Sequence, residues 1–137
     1  MKKLTQYGLA ILLFCLSSQV LWAQSDPIHV IDGLVFTAEQ VAEIDLDQIN
    51  TYKIARMGPT KAQQVYGDRG NHGAQEYYTT CLIVVGKSHL NSEAEKKAFF
   101  EARHYPTVAK VTFLPPADAE PLYGVKGKHG ALLVTLK

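Results

Sequence analysis

The chain carries one nine-residue pattern twice. The first copy reads Tyr66-Gly67-Asp68-Arg69-Gly70-Asn71-His72-Gly73-Ala74, and the second reads Tyr123-Gly124-Val125-Lys126-Gly127-Lys128-His129-Gly130-Ala131. Six of the nine positions are identical at a constant offset of 57 residues, and Lys126 replaces Arg69 at a seventh. A string that mixes an aromatic residue, three glycines and a histidine is not a low-complexity tract. We therefore interpret it as part of a duplicated structural unit.

Each copy of the pattern joins a predicted short helix to a predicted strand. Pro59 suits the first turn of a helix that runs to Tyr66, and Gly67 suits the cap that ends it. The residues from 74 to 85 have high β propensity, with a break expected near Thr80. At the same offset, Pro116 precedes a second short helix that Gly124 ends, and the last strand covers 131–136.

The sequence upstream of the first copy carries two local signals. Asp32-Gly33 between apolar runs predicts a two-residue hairpin turn. Thr37 and Gln40 have the spacing of a capping box, which predicts the start of a helix. A strand follows over 49–57, and its alternation places Tyr52 and Ile54 on the inward face.

The second half of the chain repeats this order. The predicted segments are a strand over 82–85 in the place of 28–31, a helix from Ser92 to about Arg103, and a strand over 107–114 with Val108, Val111 and Phe113 inward. Upstream of the helix that ends at Gly124, the copies align only with a gap of about three residues. The sequence therefore predicts a mixed α/β (α+β) fold of tandem β-α-β-α-β units over 24–80 and 81–137, with short helices covering a small mixed sheet.

The first 23 residues have the three regions of a secretory signal peptide. Lys2 and Lys3 precede an apolar run over 9–16 that is short for a membrane span, and Ala23 suits the cleavage position. The alternatives are an uncleaved membrane anchor and a lipoprotein, although Cys15 follows Phe14 rather than a small residue. We expect cleavage after Ala23, no transmembrane segment afterwards, and export to the periplasm or the periplasmic face of the outer membrane.

The composition of the processed chain narrows its partners. Without Lys2 and Lys3 the chain has 12 basic and 13 acidic residues, a net charge of −1. No basic stripe is present, which argues against binding to nucleic acid or to an anionic membrane surface. Cys81 is the one cysteine left, so we expect no internal disulfide and a core held by packing alone. No cofactor is predicted.

Residues 27–80 resemble the plug domain of TonB-dependent outer-membrane receptors. The resemblance lies in Ile49-X4-Ile54-X3-Gly58-Pro59-Thr60-Lys61-Ala62-X3-Tyr66-Gly67-X2-Gly70-X2-Gly73, followed by Thr79-Thr80. The opening Val30-Ile31-Asp32-Gly33 is similar to that of the SusC-like branch from Bacteroidetes. In this family a strand enters a Gly-Pro turn, and a short helix ending in Tyr-Gly leads through a glycine-rich turn into the next strand.

The resemblance implies an envelope function without transport. Receptors of the family continue into a large transmembrane β-barrel, whereas this sequence repeats the plug-like unit after Thr80. We therefore expect a barrel-less, duplicated plug-like domain that is not an enzyme and docks on an envelope or outer-membrane protein, by a sheet edge or by the repeated turns. The candidate binding residues are Tyr66, Gly67, Arg69, Gly70, His72, Gly73, Tyr123, Gly124, Lys126, Gly127, His129 and Gly130.

Three chemical alternatives stay open at this point. His72 and His129, together with Cys81, would suit zinc or copper if the fold brought them together, and a small periplasmic metal- or ligand-binding protein is the second hypothesis. The glycine spacing resembles a phosphate cradle, but these glycines close a helix rather than open one. Paired carboxylates at Asp45 and Asp47, or at Glu93, Glu95 and Glu101, would suit a hydrolase, yet no nucleophile motif accompanies them.

Overall fold

A computed structural model describes residues 26–137. The predicted signal peptide lies outside the described residues. Within 26–137 no helix combines the length and the apolar character that crossing a bilayer requires.

The first unit builds a four-stranded mixed sheet. Its strands are β1 (Ile28–Ile31), β2 (Leu34–Phe36), β3 (Thr51–Met57) and β4 (Ala74–Thr79), in the spatial order β2-β1-β4-β3. Strand β1 pairs antiparallel with β2 and parallel with β4, and β3 pairs antiparallel with β4. Helices α1 (Ala38–Glu43) and α2 (Pro59–Tyr66) connect the strands, and a 3-10 turn (Gly67–Gly70) follows α2.

The second unit builds a sheet with the same topology. Its strands are β5 (Leu82–Val85), β6 (Ser88–Leu90), β7 (Val108–Leu114) and β8 (Ala131–Leu136), in the order β6-β5-β8-β7. Helices α3 (Glu93–Ala102) and α4 (Pro116–Tyr123) take the places of α1 and α2, and a 3-10 turn (Gly124–Gly127) follows α4. The mixed α/β fold of related units is confirmed, with one sheet in each unit.

Local signals in the sequence account for most element boundaries. Asp32 and Gly33 form the β1–β2 turn with φ of 52° and 95°, and both capping boxes, at Thr37 with Gln40 and at Ser92 with Glu95, are present. The chain breaks between β4 and β5, as expected near Thr80. The short strand β6 was not predicted, because Ser88-His89-Leu90 has little β propensity.

The 57-residue offset holds even in the irregularities. The ladder of β3 with β4 shifts register between Thr51 and Lys53, and that of β7 with β8 shifts between Val108 and Lys110. The gap of three residues falls upstream, since β1 and β5 are separated by 54 residues. The same chain irregularity at equivalent positions indicates that the units share backbone geometry as well as sequence.

One core lies between the two sheets. Ile31, Tyr77, Ile83 and Leu132 from the sheets pack there with Phe100 of α3. Two smaller clusters lie beneath α2 and α4 on the opposite faces of the sheets. The sheets also meet at one edge, where Val35 bridges to Thr107 and donates its backbone N–H to the Pro106 carbonyl.

The predicted inward face of β3 was wrong. Tyr52 and Ile54 are 53% and 58% exposed. The position of β7 equivalent to Ile54 is Val111, which is 8% exposed. Both side chains point to the core side of their sheets, but the core covers β7 and stops short of β3. Alternation along the strand identified the face correctly and could not show how far the core extends.

Candidate functional site

The repeated glycines serve the backbone. Gly67 and Gly124 end their helices with the same dihedrals, φ 67° and ψ −144°, and Gly73 and Gly130 both have φ of 91°. Positive φ is strained for residues with a side chain, so glycine is required at these positions by conformation alone.

Gly70 and Gly127 are required for a different reason. A Cβ atom added to Gly70 would lie 2.4 Å from the carbonyl oxygen of Ala62, and one added to Gly127 would lie 2.7 Å from that of Ala119. The turn therefore packs directly against the preceding helix. The glycines among the predicted binding residues shape this turn and offer no side chain to a partner.

The two repeated tyrosines have diverged. Tyr66 is buried, and its hydroxyl donates to the Glu76 Oε2 atom at 2.7 Å. Burial, followed by this hydrogen bond, raises the pKa of Tyr66. Tyr123 is half-buried, with its ring 5.3 Å from the His89 ring in an edge-on arrangement. Only the first unit therefore places a tyrosine hydroxyl against a carboxylate at this position.

Arg69 connects the first repeated turn to the second unit. Its guanidinium donates to the carbonyl of His104 at 3.1 Å, to the carbonyl of Tyr105 at 2.7 Å and to the Thr107 Oγ1 atom at 3.0 Å. Its Nε also donates to the Tyr66 carbonyl at 3.2 Å. His104 and Tyr105 have positive φ angles of 56° and 52°. Arg69 thus holds a strained loop that begins β7, whereas its counterpart Lys126 is exposed.

Replacing Arg69 by alanine is expected to lower the free energy of unfolding by about 2 kcal/mol. The change removes several charge-assisted hydrogen bonds to a strained loop, and each such bond contributes about 1.5–3 kcal/mol when it is protected from water. Lys126→Ala is the matched control and should stay within about 0.5 kcal/mol of the parent. Urea unfolding measures both, and equal losses in the two variants would contradict this role of Arg69.

The histidines and Cys81 do not form a metal centre. His72 is exposed, His129 is half-buried, and the buried Cys81 directs its Sγ to the backbone carbonyl of His129 at 3.4 Å. Within residues 26–137 no three histidine, cysteine, aspartate or glutamate side chains are close enough to hold a metal ion. The fold does not bring the predicted ligand set together.

Cys81 is expected to resist thiol reagents while the protein is folded. Burial raises the pKa of the Cys81 thiol, which lowers the fraction of reactive thiolate, and the side chain has no exposed surface. In a Cys15→Ser variant, a maleimide should label Cys81 slowly under native conditions and fully in denaturant. Rapid labelling of the native protein would show that this strand opens readily.

The carboxylates considered for hydrolysis have structural partners. Asp45 accepts the backbone N–H of Asp47, Glu95 closes the capping box of α3, and Glu93 accepts the hydroxyl of Tyr52 at 2.9 Å. Burial, followed by the bond to Glu93, raises the pKa of Tyr52 to about 12. These contacts do not pair two carboxylates across a substrate site.

A buried polar network joins the units beneath α3. The Lys96 Nζ lies 3.0 Å from the Asp32 Oδ2 and donates to the Thr79 carbonyl at 2.9 Å. Thr79 donates its backbone N–H to Asp32 Oδ1 at 2.8 Å and its hydroxyl to Asp32 Oδ2 at 2.6 Å. Because the ion pair is buried, its charges depend on one another and on Thr79 for compensation.

A cleft of about 290 Å³ opens beside this network, at the carboxyl ends of the parallel strands β1 and β4. Tyrosines, lysines and carboxylates line it: Asp32, Lys53, Tyr66, Glu76, Tyr77, Tyr78, Glu93, Lys96, Lys97 and Tyr105, with Val30 and Gly33. The sequence analysis missed this site. Its one signal was divergence between the copies, because Glu76 and Tyr78 face Leu133 and Thr135 at the 57-residue offset.

Strand β3 forms an open edge of the first sheet. It pairs with β4 on one side and carries the exposed side chains of Tyr52 and Ile54. The equivalent edge of β7 is partly occupied, since the Gln40 Nε2 donates to the carbonyl of Val108 at 2.7 Å and lies 3.3 Å from that of Ala109. The two units thus share a fold and differ in what their outer strands expose.

Comparison of the chain with protein-family models, with curated proteins and with solved structures found no match in any of the three. The fold alone defines the class: a mixed α/β protein built from two units of the same topology.

Proposed function

We propose that this protein is an exported, non-enzymatic binding module that docks on an envelope or outer-membrane protein through the edge of β3. The single observation that carries the docking surface is the asymmetry between the units. Ile54 is 58% exposed, whereas Val111 at the equivalent position is 8% exposed. The apolar signal sequence and the plug-like motifs support export and an envelope partner.

The chemistry of β3 favours an extended segment as the occupant. An edge strand has unpaired backbone N–H and C=O groups on its outer side, and another chain can add to it as a further strand. Exposed Tyr52 and Ile54 supply apolar contacts to such a segment. Lys53 and Arg56 are also exposed and give the strand two positive charges, so an acidic segment is favoured. The same charges would repel each other if two copies of β3 paired.

Other edges are less suited to this role. Strand β2 bridges to Thr107, the start of β7 is occupied by Gln40, and β6 has three residues. The repeated turns, which were the other predicted docking surface, use their glycines to pack against α2 and α4. Docking through β3 is therefore the form of the hypothesis that the geometry supports best.

The proposal is tested by comparing two tagged variants with the parent protein in envelope extracts. Ile54→Lys places a charge in the exposed patch of β3, and Thr112→Lys places the same charge at an exposed position of β7. A specific envelope protein should copurify with the parent and with Thr112→Lys, and its yield should fall at least about tenfold with Ile54→Lys. Equal yields from both variants, with folding intact by circular dichroism, would remove β3 as the docking surface.

A further inference from the structure

We infer that the cleft at the end of the first sheet binds a small zwitterion of the amino-acid type, which carries an ammonium group, a carboxylate and an apolar or aromatic side chain. This site is separate from the docking edge of β3. The argument starts from its position, because ligands of open α/β sheets bind in the crevice outside the carboxyl ends of the strands. A cleft of about 290 Å³ suits a small ligand.

An ammonium group fits beside Glu76. The Tyr66 hydroxyl donates to the Glu76 carboxylate at 2.7 Å, and the rings of Tyr66 and Tyr105 lie 5.2 Å apart in an edge-on arrangement. Tyr78 lies two residues along β4 on the same face of the strand and also lines the cleft. A carboxylate surrounded by tyrosine rings attracts a cation both by its charge and by the faces of the rings.

The chain shows that one of these rings accepts a cation. The Lys53 Nζ lies 5.0 Å from the centre of the Tyr78 ring. Lys53 is exposed, so its flexible stem lets the ammonium turn towards a ligand instead. Lys97, also exposed, lines the cleft from α3. These two lysines provide the positive charge that a ligand carboxylate requires.

The balance of charge favours a ligand that carries both signs. Three carboxylates and three lysine side chains line the cleft. Asp32 and Lys96 neutralise each other in the buried pair, and Glu93 accepts the Tyr52 hydroxyl. Glu76 then faces Lys53 and Lys97 across a lining with aromatic walls. A ligand with one charge would leave one of these groups without compensation.

The second unit provides an internal comparison. Its corresponding cleft is lined by Val84, Lys110, Tyr123, Leu133 and Thr135, among others. Leu133 stands where Glu76 lies in the first unit, and Thr135 stands where Tyr78 lies. The fold thus forms the recess twice, while the carboxylate and the second tyrosine are present once. Packing of the shared fold does not require Glu76, since Leu133 fills its place.

The rigid surroundings of the first cleft also suit a binding site. Its base is the network of Asp32, Thr79 and Lys96, and Arg69 fixes the backbone of Tyr105 at one wall. A site whose walls are already held in place loses less conformational entropy when it binds a ligand.

Three probes that share a phenyl group test the inference: L-phenylalanine, phenethylamine with the ammonium alone, and 3-phenylpropionate with the carboxylate alone. Isothermal titration should give a Kd of roughly 1 mM or tighter for L-phenylalanine. Each analogue with one charge should bind at least about tenfold more weakly. No binding of L-phenylalanine, or binding of either analogue with equal affinity, would overturn the inference.

Variants locate the site. Glu76→Gln and Lys53→Met should each weaken L-phenylalanine binding at least about tenfold, while Lys110→Met in the second unit should leave it unchanged. If Glu76→Gln fails to fold, Lys53→Met at an exposed position decides the matter. Equal binding by Lys53→Met and Lys110→Met would overturn the assignment. Ile54→Lys, which disrupts the docking edge, should not alter the affinity for L-phenylalanine, so failure of one proposal is distinguishable from failure of the other.

Discussion

Lys96→Ala is expected to lower the free energy of unfolding by about 3–5 kcal/mol, the range observed when one partner of a buried ion pair is removed. Both side chains of the pair are 3% exposed. Without Lys96, the Asp32 carboxylate stays buried and keeps only the two bonds from Thr79. Because a small domain has about 5–15 kcal/mol of total stability, this change alone should bring the protein close to unfolding.

Urea unfolding of the parent protein, Lys96→Ala and Lys97→Ala measures this effect. Lys97 is the next residue of α3 and is exposed, so its removal should change the free energy of unfolding by no more than about 0.5 kcal/mol. The double variant Asp32→Ala/Lys96→Ala should lose much less than the sum of the two single variants, because it leaves no uncompensated buried charge. Additive losses would contradict the ion pair as the origin of the effect.

Gly70→Ala is expected to lower the free energy of unfolding by about 2–3 kcal/mol, as overpacking in a closely packed region does. The added methyl group would lie 2.4 Å from the Ala62 carbonyl oxygen, so the turn must move away from α2. Gly127→Ala, with a corresponding distance of 2.7 Å to the Ala119 oxygen, should behave alike. The second unit therefore repeats the experiment within the same molecule.

Gly58→Ala is the control for this prediction. Gly58 has a φ of −70°, and an added Cβ there would have no neighbour within 4 Å. Alanine should be neutral or should stabilise by up to about 1 kcal/mol, because it restricts the unfolded chain. Thermal or urea unfolding compares the variants, and a Gly70→Ala variant as stable as Gly58→Ala would show that the turn does not pack on α2 as described.

The elements that depend on neighbouring residues could be predicted from the sequence. The Asp32-Gly33 turn, the capping boxes at Thr37 and Ser92, and the Pro59 helix start each rest on a pattern of two to four residues. The repeat extended these predictions, since one unit supplied the expected order of elements for the other.

Contacts between distant residues could not be predicted in this way. Lys96 and Asp32 are 64 residues apart, and Arg69 binds carbonyls 35 and 36 residues further along the chain. The charge of Lys96 suggested an exposed helix face, whereas the packing of α3 across the end of the first sheet buries it. The exposure of Ile54 has the same origin, because it depends on where the other unit lies.

The divergence of the units is the most informative feature of this molecule. Arg69, Glu76 and Tyr78 in the first unit correspond to Lys126, Leu133 and Thr135 in the second. Each substitution changes a contact, since Arg69 holds the β7 loop while Glu76 and Tyr78 line the cleft. The shared residues maintain the fold, and the residues that differ supply the chemistry proposed for the first unit.

Site-specific photo-cross-linking in intact cells tests the docking edge most directly. A photoreactive amino acid is placed at Ile54 on β3 and, as the control, at Thr112 on β7, where the side chain is also exposed. The expected result is one defined cross-linked envelope protein at position 54 and none at position 112. The absence of a cross-link at position 54 in a folded, exported protein, or the same cross-link at both positions, would contradict docking through β3.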